Sequence, residues 1–246
     1  MNKKCLYVVG IGPGQYSDMT IKSAKVLNSC DVIVGYTVYC DLVRPMFEDK
    51  KFISTPMMKE EERVRLALEE ADKGKKVALI CSGDAGIYGL LGLVYELGTE
   101  YPKVEIKAST GVTAAISGGA VLGAPLIHDF CCISLSNRLT PFELIEKRLR
   151  AAAQTDMVIV LYNPESKSRS GFLKKACEIL LEEIEEERVC GIARNIGRDG
   201  EDSQVCTLAE LKDTPVDMFS TVFVGNSSTR NIMGLMVTAR GYQSER

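Results

Sequence analysis

The chain has 246 residues, of which 46% are apolar and 26% charged, a composition typical of one large or two small soluble α/β domains. Its net charge of −3 disfavours a general nucleic-acid binder, which usually carries a basic excess. No stretch of roughly 18 apolar residues occurs, so no membrane span is expected.

The first half of the chain is predicted to alternate strands and helices. Met1 to Lys4 lead directly into a strand without the apolar core of a signal peptide, so the expected location is the cytoplasm. Short buried apolar runs predict strands at 6–9, 32–34, 77–81 and 104–106. Helical spacing of apolar or small residues predicts helices at 20–28, 60–73 and 113–122.

The second half repeats this pattern. Strands are predicted at 131–135, 157–162, 189–193 and 221–224, with an acidic helix at 171–183. Another helix is predicted to open with Thr140 as N-cap and Pro141 at its first position. The boundary is placed near 124–130, giving domains 1–124 and 125–246. Strands alternating with helices predict two α/β domains with parallel or mixed sheets.

Ligands of parallel α/β sheets bind beyond the carboxyl ends of the strands, so the residues after each strand are the candidate site. Six of these segments are rich in glycine or small polar residues, which allow a ligand to approach the backbone closely. They are 10–14, 82–89, 109–115, 163–164, 194–198 and 225–229.

The loop at 10–14, GIGPG, resembles a dinucleotide-binding turn only in part. The third glycine of that fingerprint is replaced by Gln15, and Pro13 removes a backbone N–H that a pyrophosphate would use. No acidic residue ends the second predicted strand, and no P-loop sequence occurs. These departures disfavour NAD and nucleoside triphosphates, and leave a simple tight turn as the alternative.

Two titratable residues are candidates for chemistry, and each has a structural alternative. Asp84 follows a buried strand, where its carboxylate suits a ribose hydroxyl or an amino group, but it also suits a helix N-cap. His128, the only histidine, precedes Asp129 and is either an oriented acid–base group or a structural hydrogen-bonding residue. No serine or cysteine triad is possible without it.

Cationic residues recur in or near the candidate loops. They are Arg138, Lys167, Arg169, Arg194, Arg198 and Arg230. Because arginine recognises carboxylates with two parallel hydrogen bonds, the set indicates a polyanionic substrate, with ordinary solvated surface as the alternative.

The nine cysteines are predicted to be reduced core thiols. None forms a C-x-x-C pair, and most lie within apolar runs. One histidine and scattered cysteines offer no ligand set, so no resident metal is expected.

Four segments, taken in order, resemble the tetrapyrrole methylase family. They are VVGIGPG at 8–14, CSGDAGIYG at 81–89, STGVTAAISGGAVLGAPLIHDF at 109–130 and VLYNPES at 160–166. The segments ARNIGRDGE and VGNSSTR are further similar to the branch that methylates C17 of precorrin-3B or cobalt-factor III and contracts the ring during cobalamin biosynthesis. One departure is Thr110, where the family usually has proline.

The resemblance implies two α/β domains with S-adenosylmethionine in the cleft between them, in a homodimer. The implied cofactor-binding residues are Pro13, Gly83, Asp84, Ile87, Thr113, Ala114, Tyr162, Asn163, Asn195 and Ile196. The residues expected to hold the corrin precursor are Gly12, Gly14, Arg138, Arg194 and Arg198. His128 and Asp129 are expected to assist the proton transfers of ring contraction.

Two alternatives stay open at this point. One is a sister methylase with another substrate, such as a different ring position, diphthamide or ribosomal RNA. The other is a non-catalytic tetrapyrrole-binding or carrier protein. The sequence also leaves open whether the substrate already carries cobalt.

Overall fold

The structure, a computed structural model, describes residues 4–166 and 170–242. The start of the chain at Met1 to Lys3 and two of the cationic candidates, Lys167 and Arg169, lie outside the described residues. The chain forms two compact units, Met1–Ala114 and Ala115–Arg246.

The first unit is built on a fully parallel sheet of five strands. The strands are β1 (Cys5–Gly10), β2 (Val32–Tyr36), β3 (Lys51–Thr55), β4 (Lys76–Cys81) and β5 (Glu105–Ser109). Their order is β3-β2-β4-β1-β5, and every neighbouring pair is parallel. All five carboxyl ends therefore meet at one edge of the sheet.

Helices cover both faces of this sheet. They are α1 (Ile21–Ser29), α2 (Thr37–Val43), α3 (Glu60–Asp72) and α4 (Leu91–Gly98). One apolar core lies under α3 and α4, and a second lies under α1 and α2. The Thr20 side chain caps α1 by accepting a hydrogen bond from the Ser23 amide, as a threonine before a helix commonly does.

The second unit begins with α5 (Ala114–Leu122) and the two-residue β6 (Gly123–Ala124) and contains a mixed sheet. The sheet strands are β7 (Phe130–Ser134), β8 (Val158–Tyr162), β9 (Val189–Arg194), β10 (Asp202–Thr207) and β11 (Ser220–Val224). The order is β10-β9-β11-β8-β7. Three helices pack on one face: α6 (Phe142–Gln154), α7 (Phe172–Leu181) and α8 (Leu208–Leu211). The hairpin of β12 (Thr229–Ile232) and β13 (Leu235–Thr238) joins β6 in a small third sheet.

The direction of β11 corrects one of the predicted ligand loops. This strand runs antiparallel to both β8 and β9, so it leaves the sheet at the opposite edge from them. The Gly225 amide donates to the carbonyl of Val189, the first residue of β9, at 2.9 Å, and the Ser227 amide donates to Asp156, just before β8. The loop at 225–229 therefore lies away from the carboxyl ends of β8 and β9.

Most predicted elements are present with small shifts. The strand expected at 104–106 is β5, displaced toward the carboxyl side, and the acidic helix is shorter than expected, as α7. Thr140 is not the N-cap of α6: the helix begins at Phe142, Pro141 occupies the cap position, and no side chain caps it. The division predicted after residue 124 stays a prediction, although α5 packs on the second sheet through Ala115 and Leu122.

All nine cysteines are free thiols, and seven of them are buried. The prediction that most lie in the core is confirmed. Within the described residues, no helix has the length and apolarity needed to cross a membrane. The same part of the chain holds no group of three or more histidine, cysteine or acidic side chains arranged as metal ligands.

Candidate functional site

Three loops converge at the carboxyl edge of the first sheet. Gly12, after β1, and Gly83, after β4, exchange two backbone hydrogen bonds of 3.1 and 2.9 Å. A Cβ placed on Gly10 would lie 2.6 Å from the Gly83 carbonyl oxygen and 2.7 Å from the Gly111 nitrogen. Backbones approach this closely only because these residues lack side chains.

Asp84 fastens these loops to one another. Its Oδ1 accepts the Gly86 amide at 2.8 Å, and its Oδ2 accepts the Gly111 amide, after β5, at 2.9 Å. No helix begins here, because α4 starts only at Leu91. Asp84 is thus the acceptor of an Asx turn and a bridge between loops rather than a helix N-cap. Gly111 was not among the predicted site residues. Its position in the STG sequence at 109–111, directly after β5, could have identified it.

The structure brings several predicted cofactor residues of the first unit together. A Cβ on Gly83 would lie 3.5 Å from the Thr113 Cα and 3.8 Å from the Ala114 nitrogen. Ile87 follows in the same loop, with 40% of its surface exposed although it is apolar. Pro13 is half-buried between Gly12 and Gly14, and both glycines have positive φ. An exposed isoleucine beside a carboxylate and open glycine backbone suits a ligand with an apolar ring and hydroxyl groups.

Cys81 is the last residue of β4, and its thiol is unreactive. Burial raises the pKa of its thiol to about 11. A thiol of that pKa is protonated at neutral pH and is not a nucleophile.

In the second unit, Tyr162 connects the end of β8 to the start of α5. Its hydroxyl accepts the Ala115 amide at 2.8 Å, which satisfies one of the unpaired donors in the first turn of that helix. Asn163 follows in the left-handed region with φ +52, and its Nδ2 donates to the Ser134 hydroxyl, at the end of β7, at 3.0 Å.

The turn after β9 lies at the same edge of the second sheet. Asn195 is left-handed, with φ +49, and its amide donates to the Phe219 carbonyl. Ile196 packs with Tyr162 against the core under α5, and its Cδ1 would be 3.0 Å from a Cβ on Gly118. The structure therefore brings Tyr162, Asn163, Asn195 and Ile196 to one edge of this sheet.

The three predicted substrate arginines differ in their surroundings. Arg138 is exposed in the segment after β7. The Arg198 guanidinium lies 5.9 Å from the Phe219 ring centroid. Arg194 shares a sheet face with Ile192, and its guanidinium donates to the Pro215 carbonyl at 2.9 Å and lies 3.8 Å from an Asp217 carboxylate oxygen. Arg138 therefore keeps more capacity for a ligand than Arg194 does.

His128 and Asp129 lie at the opposite edge of the second sheet from Tyr162. They precede β7, and the Asp129 carbonyl accepts the amide of Val158, the first residue of β8. β7 runs parallel to β8, and its five residues span roughly 16 Å. Within the described residues, no hydrogen bond or ion pair involves the His128 imidazole or the Asp129 carboxylate, so no contact between the two orients the ring.

Comparison with known proteins extends these observations. The family model described as Tetrapyrrole (Corrin/Porphyrin) Methylases matches residues 5–212. The chain is 45% identical over 96% of its length to a "Probable cobalt-factor III C(17)-methyltransferase" of Salmonella typhimurium, of which it covers 99%. It is 42% identical over 97% of its length to a longer "Cobalt-factor III methyltransferase" of Priestia megaterium, of which it spans 45%.

Two further likenesses agree with these matches. A "Precorrin-3B C(17)-methyltransferase" of Sinorhizobium is 37% identical, with 92% of this chain and 90% of that protein covered. The crystal structure of the methyltransferase CobJ superposes with a TM-score of 0.88 at 36% identity, covering 95% of this chain and 99% of that one.

The first unit has a parallel sheet whose carboxyl ends carry glycine loops joined by hydrogen bonds, and the second unit has a mixed sheet. This combination defines a two-unit α/β ligand-binding protein. The chain belongs to the tetrapyrrole methylase family, whose members are methyltransferases that use S-adenosylmethionine.

Proposed function

We propose that this protein transfers a methyl group from S-adenosylmethionine to C17 of cobalt-factor III, with ring contraction, in cobalamin biosynthesis. The observation that carries the proposal is the 45% identity to a relative of that name, with 96% of this chain and 99% of the relative covered. The similarity includes the loops that converge at the carboxyl edge of the first sheet.

The first unit offers a cofactor surface on which Asp84, Ile87, Thr113 and Ala114 are the proposed contacts, with Gly83 and Pro13 beside them. Asp84 is half-buried, and each of its oxygens retains lone-pair capacity after accepting one amide. Ile87 supplies apolar surface, and Gly83 has no side chain to keep a ligand from the backbone. When bound, S-adenosylmethionine supplies an electrophilic methyl group.

The second unit contributes Tyr162, Asn163, Asn195 and Ile196 to the proposed cofactor set. The proposed substrate contacts are Gly12, Gly14, Arg138, Arg194 and Arg198. Tyr162 and the two asparagines are held by backbone or side-chain hydrogen bonds, so they are positioned before any ligand arrives.

Chemically, the arrangement favours alignment rather than covalent catalysis. Methyl transfer from a sulfonium needs an acceptor carbon held in line with the methyl group, and positioning supplies much of the lowering of the barrier. Cys81 is too weakly acidic to act as a nucleophile. A part for His128 and Asp129 in the proton transfers of ring contraction stays a prediction from the resemblance, and their place at the opposite edge of the second sheet from Tyr162 argues against it.

The deciding experiment incubates the protein with S-adenosylmethionine and either cobalt-factor III or precorrin-3B, with mass detection of the product. The relatives named for the cobalt-containing substrate are 45% and 42% identical, and the one named for precorrin-3B is 37% identical. We therefore expect methylation of cobalt-factor III to be the faster reaction. Methylation of neither compound, with intact binding of S-adenosylhomocysteine, would favour a sister methylase. Failure to bind S-adenosylhomocysteine would favour a carrier.

We also propose a cytoplasmic homodimer. Its support in the structure is the β12–β13 hairpin, where Ile232, Met233 and Leu235 are 48%, 96% and 47% exposed. Adjacent exposed apolar side chains often mark contacts between proteins. Light scattering after gel filtration should give twice the chain mass of 27.0 kDa. A single-chain mass at micromolar concentration would contradict the dimer.

A further inference from the structure

A buried arginine lies in the first unit without an acidic partner. Arg63, in the first turns of α3, is only 4% exposed. Its Nε donates to the Thr55 hydroxyl and its Nη2 to the Pro56 carbonyl, both at 2.9 Å. Within residues 4–166 and 170–242, no ion pair joins this guanidinium to a carboxylate. Burying a charge among neutral groups is costly, so such a residue calls for an explanation.

Arg63 lies at the same edge of the sheet as the candidate site. Thr55 is the last residue of β3, and the ring of Tyr36, the last residue of β2, has its centroid 5.7 Å from the guanidinium carbon. β3, β2 and β4 are consecutive in the sheet, and β4 leads into Asp84. The cation is therefore held at the carboxyl ends of neighbouring parallel strands, where ligands bind in such sheets.

One nitrogen of Arg63 is available to a ligand. Nη1 has no hydrogen bond to the described residues. Among the described residues, only one fully buried side-chain nitrogen or oxygen lacks a hydrogen bond, and it is Oε2 of Glu165 rather than Nη1 of Arg63. Nη1 is therefore not sealed inside the protein and keeps contact with solvent.

Exposed apolar side chains follow the same strands at this edge of the sheet. Those with more than a third of their surface exposed are Val38 after β2, Met57 and Met58 after β3, and Ile87 and Tyr88 after β4. Met58 and Tyr88 also have positive φ, at 69° and 53°, an arrangement that non-glycine residues adopt at a cost. Exposed methionine and aromatic surface suits a flat apolar molecule.

We propose that Arg63 is a carboxylate-binding residue for the tetrapyrrole. Its guanidinium binds one peripheral carboxylate, and the exposed apolar residues after β2, β3 and β4 contact the macrocycle. Arginine suits this role because its planar group stays charged and matches a carboxylate geometrically. The choice of ligand rests on the proposed function, since it takes the substrate to be a corrin precursor with acidic side chains.

The test measures equilibrium binding of cobalt-factor III by absorbance and of S-adenosylhomocysteine by calorimetry, for the wild type and three variants. Arg63→Gln removes the buried charge. Arg65→Gln is the matched control, because Arg65 lies on the same helix, at the surface, paired with Glu61 and Glu100. Thr55→Val removes one hydrogen bond that positions the Arg63 guanidinium and keeps its charge.

We expect Arg63→Gln to weaken cobalt-factor III binding by about tenfold or more and to change S-adenosylhomocysteine affinity by less than about twofold. Arg65→Gln should alter both affinities by less than about twofold, and Thr55→Val should weaken cobalt-factor III binding by less than Arg63→Gln does, because the charge remains. If Arg63→Gln does not fold, Arg63→Lys serves instead. It keeps the charge without the planar guanidinium, and it should weaken binding of cobalt-factor III without changing the affinity for S-adenosylhomocysteine. Wild-type affinity in Arg63→Gln, equal losses for both ligands, or an equal loss in Thr55→Val would each overturn the proposal.

The outcomes also separate this proposal from the proposed function. A wild-type protein that binds cobalt-factor III without methylating it contradicts the proposed function and leaves the Arg63 site standing. Normal methylation with unchanged affinity in Arg63→Gln contradicts the Arg63 site alone. No detectable binding of cobalt-factor III by the wild type overturns both.

Discussion

At the scale of single residues, Asp84 combines an observed structural role with a proposed binding role. Its carboxylate joins the loops after β4 and β5, and it is also a proposed cofactor contact. We expect Asp84→Ala to weaken S-adenosylhomocysteine binding by about tenfold, because two unpaired amides are left where the loops converge. Calorimetry measures the affinity, and urea unfolding measures the accompanying loss of stability.

Asp31 provides the matched control for Asp84. Its carboxylate accepts the Lys76 amide at 2.8 Å, at the amino ends of β2 and β4. Asp31→Ala should therefore lower the free energy of unfolding by about 1 kcal/mol without changing cofactor affinity. Equal losses of affinity in the two variants would show that Asp84 acts only through general stability.

His128 is the residue for which sequence and structure point in different directions. It is the only histidine in the chain, and histidine is the side chain that most often serves as a general acid or base. Within the second unit it lies at the opposite edge from Tyr162 and Asn163. We therefore expect His128→Gln to form the ring-contracted product within about twofold of the wild-type rate. A variant that stalls after adding the methyl group would instead place His128 in the contraction step.

At the scale of elements, the convergence of loops depends on glycine at the end of β1. An alanine Cβ at Gly10 would lie 2.6 Å from the Gly83 carbonyl oxygen and 2.7 Å from the Gly111 nitrogen. Both are backbone atoms, which cannot rotate away as the end of a side chain can. Gly10→Ala should destabilise the protein by about 2 kcal/mol and abolish S-adenosylhomocysteine binding, since the loops must separate.

Gly92 is the control for Gly10. It lies within α4 and is exposed, and a Cβ placed on it would have no heavy atom within 4 Å. Gly92→Ala should raise the free energy of unfolding by about 0.5 kcal/mol, because alanine restricts the unfolded chain, and should leave cofactor affinity unchanged. Similar urea midpoints for the two variants would contradict the steric argument.

The start of α5 depends on a side chain from another element. The Tyr162 hydroxyl accepts a hydrogen bond from the Ala115 amide, and within the described residues this amide has no other acceptor. Tyr162→Phe should lower the free energy of unfolding by about 1–2 kcal/mol. Tyr242→Phe removes the hydroxyl of a residue that is 90% exposed and should have no measurable effect.

Most of the strands that the sequence predicted consist largely of buried apolar residues, and β5 is an exception. The apolar runs of β1, β4, β8 and β11 identify strands because both faces of each are covered. β10 was missed because it is an edge strand whose first three residues are exposed. The reversed direction of β11 was also missed, since an apolar run indicates a strand but not its orientation.

At the scale of the whole molecule, the convergence of loops in the first unit was predictable from the sequence and the burial of Arg63 was not. The rule that ligands bind beyond parallel strands placed the loops at 10–14, 82–89 and 109–115 together. Arg63 gave no such signal. In sequence it stands among glutamates on a helix, like a solvated residue, and its burial arises from Thr55 and Pro56 packing against it.

The distribution of thiols predicts how the stability of the whole chain responds to alkaline pH. Burial raises the pKa of Cys30 and Cys177 to about 12 and that of Cys206 to about 11. Below pH 9 the thiols are protonated in both the folded and the unfolded chain. Between pH 9 and about 11 the unfolded thiols lose protons and the folded ones keep them, so the free energy of unfolding must fall as pH rises.

Urea unfolding at a series of pH values from 8 to about 11 measures this fall. Lysines and tyrosines titrate in the same range, so the comparison must be made against a variant that lacks one thiol. Cys177→Ala removes a fully buried group of high pKa, and its stability should decline less steeply with pH than that of the wild type, even though it starts lower because of the cavity. Parallel curves for the two proteins would contradict this prediction. They would mean that Cys177, although buried in the core of the second unit, ionises as readily in the folded chain as in the unfolded one.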